Sequence, residues 1–171
     1  NFIGKFSKGI KKNNTISKLL KVLDKKKLLN NQKYLIKVKK NIPQKSGLGG
    51  GSMNASAILR FFLLNKIFSL NKVKLTQLAK QVGEDVQLGL NYKNKILFSG
   101  GKLKISNKKE RFFVIVVRPN FGCSTKNIYQ GVRNFSKKKI TSNNKNLFKI
   151  NYILKLQNDL EKVVFKYYPK L

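Results

Sequence analysis

The chain has no histidine, no tryptophan and a single cysteine, Cys123, and only three prolines and six acidic residues in 171 positions. Without histidine, a histidine general base and a Cys/His zinc site are both excluded. A lone cysteine cannot close an internal disulfide. No apolar run approaches the ~20 residues that cross a bilayer, and no charged stretch followed by an apolar one opens the chain, so neither a membrane span nor a signal is expected and a cytoplasmic location is. Because acids are so scarce, each of Asp24, Glu84, Asp85, Glu110, Asp159 and Glu161 is a meaningful choice.

What the chain has instead is lysine. The formal net charge is +32, and only Arg60, Arg111, Arg118 and Arg133 among the 38 basic residues are arginine. Such a field suggests a polyanionic partner, but base and phosphate recognition favours the planar arginine fork, and the lysines are spread over every segment among abundant asparagines. The spread points to solvated surface. A hydrophobic content of 41% is enough for a core, which argues against intrinsic disorder.

The densest local signal is Ile42-Pro43-Gln44-Lys45-Ser46-Gly47-Leu48-Gly49-Gly50-Gly51-Ser52-Met53, followed by Asn54-Ala55 and an apolar run. It reads as a glycine loop that feeds a helix N-terminus, where unpaired amides and the helix dipole hold phosphate without a dedicated basic side chain. A Walker loop is excluded, because Gly51 is followed by Ser52-Met53 and not Lys-Ser or Lys-Thr. A dinucleotide or protein-kinase loop is excluded too, because the sixth position counted from Gly47 is Ser52.

Around this loop the pattern gives alternating helices and strands. Ile16, Leu19, Leu20 and Leu23 recur at helical spacing, with Thr15 as the expected cap. Tyr34, Ile36 and Val38 alternate with Leu35, Lys37 and Lys39, a period-two pattern that indicates a strand leading into the loop. The helix after the loop takes Ile58, Leu59, Phe61, Phe62, Leu63, Leu64 and Ile67 and is expected to be the buried central one. Asn71–Lys74 reads as a polar turn. Leu75, Leu78, Ala79 and Val82 mark the next helix, with Gly83 as a left-handed cap. Ile96–Phe98 and Leu103/Ile105 form a hairpin around Ser99-Gly100-Gly101, and Phe112–Val117 is expected as a central strand covered on both faces. Ser124 caps a helix through Ile128, Tyr129 and Val132. The segment 135–146 is a mobile polar insertion, and Ile150 to Tyr167 form one final helix stopped by Pro169.

Ile42-Pro43 with Gly47-Leu48-Gly49-Gly50-Gly51-Ser52 and Asn54-Ala55 resembles the nucleotide loop of the GHMP kinases, the family of galactokinase, homoserine kinase and mevalonate kinase. The three successive glycines narrow the likeness to the branch that acts on cytidylylated methylerythritol in non-mevalonate isoprenoid synthesis. Val82-Gly83-Glu84-Asp85-Val86 is similar to that branch's Gly-Ala-Asp-Val-Pro. Arg118-Pro119 through Cys123-Ser124-Thr125 to Tyr129 resembles its Pro…Ser-Thr…Tyr segment, and Asn158-Asp159-Leu160-Glu161 its Asn-Asp-Leu-Glu.

The resemblance implies an α+β fold of the two-layer GHMP-kinase type, also found in a ribosomal-protein domain. Residues 1–118 would be part of the N-terminal nucleotide-binding domain and 119–171 the start of the C-terminal one. The family's N-terminal strands, with a lysine that pairs with the catalytic aspartate, are expected before Asn1, and its last glycine motif after Leu171. On that view the chain is an internal piece, inactive by itself. The resemblance assigns Pro43, Gln44, Lys45, Ser46, Gly47, Leu48, Gly49, Gly50, Gly51, Ser52 and Met53 to the ATP phosphates, with the Ser52 hydroxyl going to a phosphate or to Mg²⁺. It makes Asp85 the catalytic group that accepts the substrate hydroxyl's proton. From the residues alone, Asp85 reads equally well as an N-cap for Val86–Leu90.

Three positions depart from the family pattern. Met53 stands where a second serine is usual, Glu84 replaces alanine beside Asp85, and Gln87 replaces proline. Lys45 is available as a compensating phosphate ligand. A small-molecule substrate, with no specific nucleic acid and no membrane, is the expected partner set. Two rivals stay open: a basic RNA-binding module of ribosomal type, whose affinity would fall steeply with salt, and a pseudokinase that binds nucleotide without transferring phosphate.

Overall fold

The computed structural model describes residues 1–107, 113–117, 119–136 and 140–171. Glu110, Phe112, Arg118 and the lysines 137–139 of the polar insertion lie outside the described residues. Two compact units form, one of Asn1–Gln44 with Leu48–Tyr92, the other of Lys45–Gly47 with Lys93–Leu171.

In the first unit, β1 (Phe2–Ile3) runs parallel to β2 (Val38–Lys39), with Phe2 opposite Val38. The strand expected over 34–38 thus shrinks to its last residue plus Lys39, the only two residues in register with β1, although the Asn1 ammonium also donates to the Ile36 carbonyl at 2.7 Å. Its alternation survives as exposure: residues 34, 36 and 38 are half-buried, 40 is buried, and the odd-numbered ones between them face solvent.

Helix α1 (Thr15–Lys25) buries Ile16, Leu19 and Leu23, as its spacing predicts. Its cap is Asn14, not Thr15. The Asn14 side chain accepts from the amides of Ile16 and Ser17 at 3.0 and 3.2 Å, and Ser17 Oγ accepts from the Asn14 amide at 2.8 Å, closing a capping box. Thr15 becomes the first helical residue.

Helix α2 (Gly50–Leu64) follows the glycine loop as expected and supplies Ala55, Ser56, Leu59 and Phe62 to the interior. It is buried on one face only, with Phe61 55% and Leu64 81% exposed. Helix α3 (Lys72–Val82) begins directly after Asn71, whose side chain accepts from the Lys74 amide at 2.9 Å, so the expected polar turn is the helix's first turn. Gly83 ends it with an extended backbone (φ 177°) instead of a left-handed one. Its amide already bonds the Ala79 carbonyl at 3.0 Å, and the chain passes straight into a 3-10 helix, Glu84–Leu90. Leu19, Leu23, Leu59, Phe62, Leu78, Ala79, Val82 and Val86 form one core, with the Phe62 ring 4.8 Å from Tyr34 and 6.0 Å from Phe68. Each fully buried Leu or Phe contributes roughly 1.5–3 kcal/mol.

In the second unit, β3 (Lys95–Leu97) pairs antiparallel with β4 (Leu103–Ile105) through residues 99–101, as expected. The central strand expected over 112–117 is not found over its described part, residues 113–117. Residues 113–117 have no strand pairing and are exposed, Val116 least at 66%. Burial on both faces needs a flanking strand, and the described strands of this unit pair only with each other.

Helix α4 (Thr125–Gly131) is capped by Ser124, as expected, and packs on α6 (Glu161–Tyr167). The single final helix is instead two, α5 (Ile150–Ile153) and α6. Between them the Asn158 side chain accepts from the Leu160 amide at 3.1 Å, a local turn that competes with the helix. The described part of the polar insertion is tied down: the Ser136 amide and hydroxyl donate to Asp159, and the Lys104 ammonium donates to the Ser142 and Asn144 carbonyls. The whole is a mixture of helices and small sheets, compatible with α+β.

Candidate phosphate-binding site

The glycine loop delivers the chain into α2 through Gly49, at φ 63° and ψ 18°. That left-handed cap suits glycine, and it has no side chain to satisfy the first amides. The first intrahelical bond runs from the Met53 amide to the Gly49 carbonyl at 3.0 Å. The amides of Gly50, Gly51 and Ser52 therefore have no partner among the described residues. No acidic residue occupies the first turn. About half a positive charge is concentrated there, with three donors free to meet an anion.

The other loop residues are placed less uniformly. Pro43 and Ser46 are half-buried, while Gln44, Lys45, Gly47 and Leu48 are exposed. The Gln44 carboxamide is engaged, donating to the Lys8 carbonyl at 2.7 Å. Lys45–Gly47 pack with the second unit, where Lys45 lies beside Gly122. Ser52 is half-buried, and Met53 is 36% exposed.

Asp85 lies in the first turn of the 3-10 helix, exposed and without a partner among the described residues. It is not an N-cap. The segment starts one residue before it, at Glu84, with Gly83 in the cap position and no side-chain cap bond. This 3-10 helix is clamped to α2. Ser56 Oγ lies 2.6 Å from the Val86 carbonyl and 2.8 Å from the Ser52 carbonyl, and the Arg60 guanidinium donates to the Gly89 carbonyl at 2.7 Å while covering the Tyr92 ring. One hydroxyl thus links the residue after Asp85 to Ser52. Glu84 Oε2 lies 3.5 Å from Gln87 Nε2, and Gln87 is itself buried, with Oε1 unpartnered.

Two residues outside the glycine motif border this helix end. The Lys40 ammonium lies 3.2 Å from where a Cβ on Gly50 would stand, and Thr15 Oγ1 lies 3.0 Å from the same position on Gly51. Both have a signal in the sequence. Lys40 continues the inward parity of Tyr34, Ile36 and Val38, and Thr15 is freed once Asn14 takes the cap.

Residues 14–92 match the family model for the GHMP kinases N terminal domain. Over all 171 residues the chain is 51% identical to a protein of Pelagibacter ubique named 4-diphosphocytidyl-2-C-methyl-D-erythritol kinase, covering 61% of that protein. Residues 14–92 thus carry a GHMP kinases N terminal domain. Proteins of the same name from Fusobacterium nucleatum and Petrotoga mobilis are 37% identical over 134 residues and 30% identical over 167. These alignments take in 74% and 93% of this chain, and 44% and 64% of the relatives. The chain spans less than two thirds of the length of each of these three relatives. No solved structure matches it.

Proposed function

We propose that the protein is an ATP-dependent small-molecule kinase that phosphorylates the 2-hydroxyl of 4-diphosphocytidyl-2-C-methyl-D-erythritol, in non-mevalonate isoprenoid precursor synthesis. The observation that carries this reading is the set of three unpartnered amides at the start of α2, with Asp85 held one residue from the Ser56 link. The name shared by the relatives supplies the substrate. Residues 1–118 belong, on this reading, to the nucleotide-binding N-terminal domain of the two-layer GHMP-kinase fold and 119–171 to the start of the C-terminal domain. The expected location is cytoplasmic, and among the described residues no helix is long and apolar enough to cross a membrane.

The loop 43–53 and the α2 amides hold the triphosphate and neutralise part of its charge, which is most of what phosphoryl transfer asks of a protein. The substrate hydroxyl oxygen attacks the γ-phosphorus, the bond from that phosphorus to the β–γ bridging oxygen breaks, and ADP leaves. Asp85 orients the hydroxyl and takes its proton. Among the described residues no cluster of three or more Cys, Asp or Glu forms a metal cage. Mg²⁺ would arrive with the nucleotide, keeping waters and substrate phosphates as ligands, and the half-buried Ser52 would offer its hydroxyl as a protein oxygen within the loop. When bound, the ion supplies further charge neutralisation on the phosphate oxygens.

The test is Asp85→Asn in the full-length protein. Turnover with ATP and the cytidylylated substrate is expected to fall by about 10²–10⁴-fold, with ATP affinity within about twofold. Normal turnover removes the base assignment, and turnover of ATP with no dependence on that substrate removes the substrate assignment.

A further inference from the structure

We propose that Lys40 is a side-chain ligand of the bound nucleotide's phosphates, completing from beneath the helix end a cradle whose other half is the Gly50–Ser52 amides. The proposal rests on the nucleotide reading of this loop and adds to it a residue that lies outside the glycine motif.

Lysine ordinarily keeps its ammonium in water while its stem covers apolar surface. Lys40 does not. It is only 9% exposed, and its Nζ has no hydrogen-bond or ion-pair partner among the described residues. Its backbone is fixed on both sides, the amide to the Ile3 carbonyl at 2.7 Å and the carbonyl to the Phe6 amide at 3.3 Å. Its inward direction is therefore set by the β1–β2 ladder. The ammonium reaches the first residue of α2, where the Cβ that Gly50 lacks would stand 3.2 Å from it and 3.7 Å from Ile42 Cγ2.

In the ligand-free protein this arrangement is unfavourable. A full positive charge lies against the positive end of a fifteen-residue helix. The first turn of α1 is next to it, since Thr15 Oγ1 is 3.0 Å from the Cβ position of Gly51. Neither helix carries an acidic residue in its first turn. A charge in a largely enclosed side chain gains from a partner, and nothing among the described residues pairs this one. A polyanion reverses the sign of every term: one set of phosphate oxygens accepts from the free amides and from the ammonium together, as charge-assisted bonds. Gly50 leaves the space in which ammonium and oxygen meet.

The experiment compares the full chain with Lys40→Met, which keeps the stem and removes the charge, and with Lys39→Met, which removes the same charge from the solvent side of β2. Binding of ATP and of inorganic tripolyphosphate is measured by calorimetry at fixed ionic strength, and melting temperature is measured without ligand. Lys40→Met is expected to weaken both ligands by about 10- to 100-fold, against less than about threefold for Lys39→Met. Without ligand, Lys40→Met is expected to melt at or above the wild-type temperature, because a positive charge held against the positive end of α2 has gone. A lysine that serves only the fold would give the reverse, a lower melting temperature with unchanged affinity, and that result overturns the proposal. Equal loss in both variants overturns it too, reducing Lys40 to its share of the general field. If wild type binds tripolyphosphate through Lys40 but not ATP, the anion site stands and the kinase reading falls. If ATP binds equally to wild type and Lys40→Met, the kinase reading stands and this one falls. If wild type binds neither, both fall.

Discussion

Gly89 is where the packing behind the candidate site is tightest. A Cβ there would lie 2.5 Å from both Cβ and Oγ of Ser56, closer than real side chains approach, and a tight 3.1 Å from Met53 Sδ. Gly89→Ala must therefore push the 3-10 helix off α2, because turning the Ser56 side chain moves its Oγ but leaves its Cβ in place. A loss of about 1–3 kcal/mol in unfolding free energy is expected from overpacking of this kind, read as a lower urea midpoint. Catalytic consequences should follow, because the displaced segment carries Asp85. At this scale the sequence is legible where chemistry is written in residue type, as with the glycines and a lone aspartate among lysines. It is less legible where direction matters. Lys40 looks like any other lysine, and only its parity with Tyr34, Ile36 and Val38 distinguishes it.

Among the elements, the helices are visible from the recurrence of Ile16, Leu19 and Leu23 or of Leu75, Leu78 and Val82, because a buried stripe imposes that period. Their ends are not. Asn14 and Thr15 are both acceptable caps by type, and only the capping box with Ser17 decides between them. The assignment is testable: Asn14→Ala should cost about 1 kcal/mol in chemical denaturation, while Thr15→Ala should cost clearly less. Equal costs would return the cap to Thr15. A strand of two residues, such as β1, is too short to establish a period of two and leaves no pattern to read. The run 113–117 has the composition of a covered strand, but composition does not supply the neighbour that covers it. The break between α5 and α6 is hidden for a different reason. The apolar spacing continues across it, while the side chain of Asn158 diverts the backbone.

For the molecule as a whole, charge is the dominant quantity. A net +32 on 171 residues repels itself in the folded state more than in an expanded one. Salt screens that repulsion over about 10 Å at 0.1 M. The melting temperature should accordingly rise between about 10 and about 300 mM sodium chloride, and a flat or falling curve would mean that the lysines are locally compensated. Composition alone is enough for this expectation. The division into two compact units is not legible in the same way, since no Pro/Gly-rich or strongly charged linker marks the step from Tyr92 to Lys93.

The uncovered run from Phe113 to Val117 gives that salt response an opposing limb. A phenylalanine followed by Val114, Ile115, Val116 and Val117, all β-branched and all exposed, has the composition that stacks into cross-β assemblies. In dilute buffer the mutual repulsion of chains at +32 is expected to keep neighbouring copies apart. Electrolyte that steadies each molecule also lowers the barrier between molecules, so the protein should have a bounded window of ionic strength in which it is both folded and monodisperse.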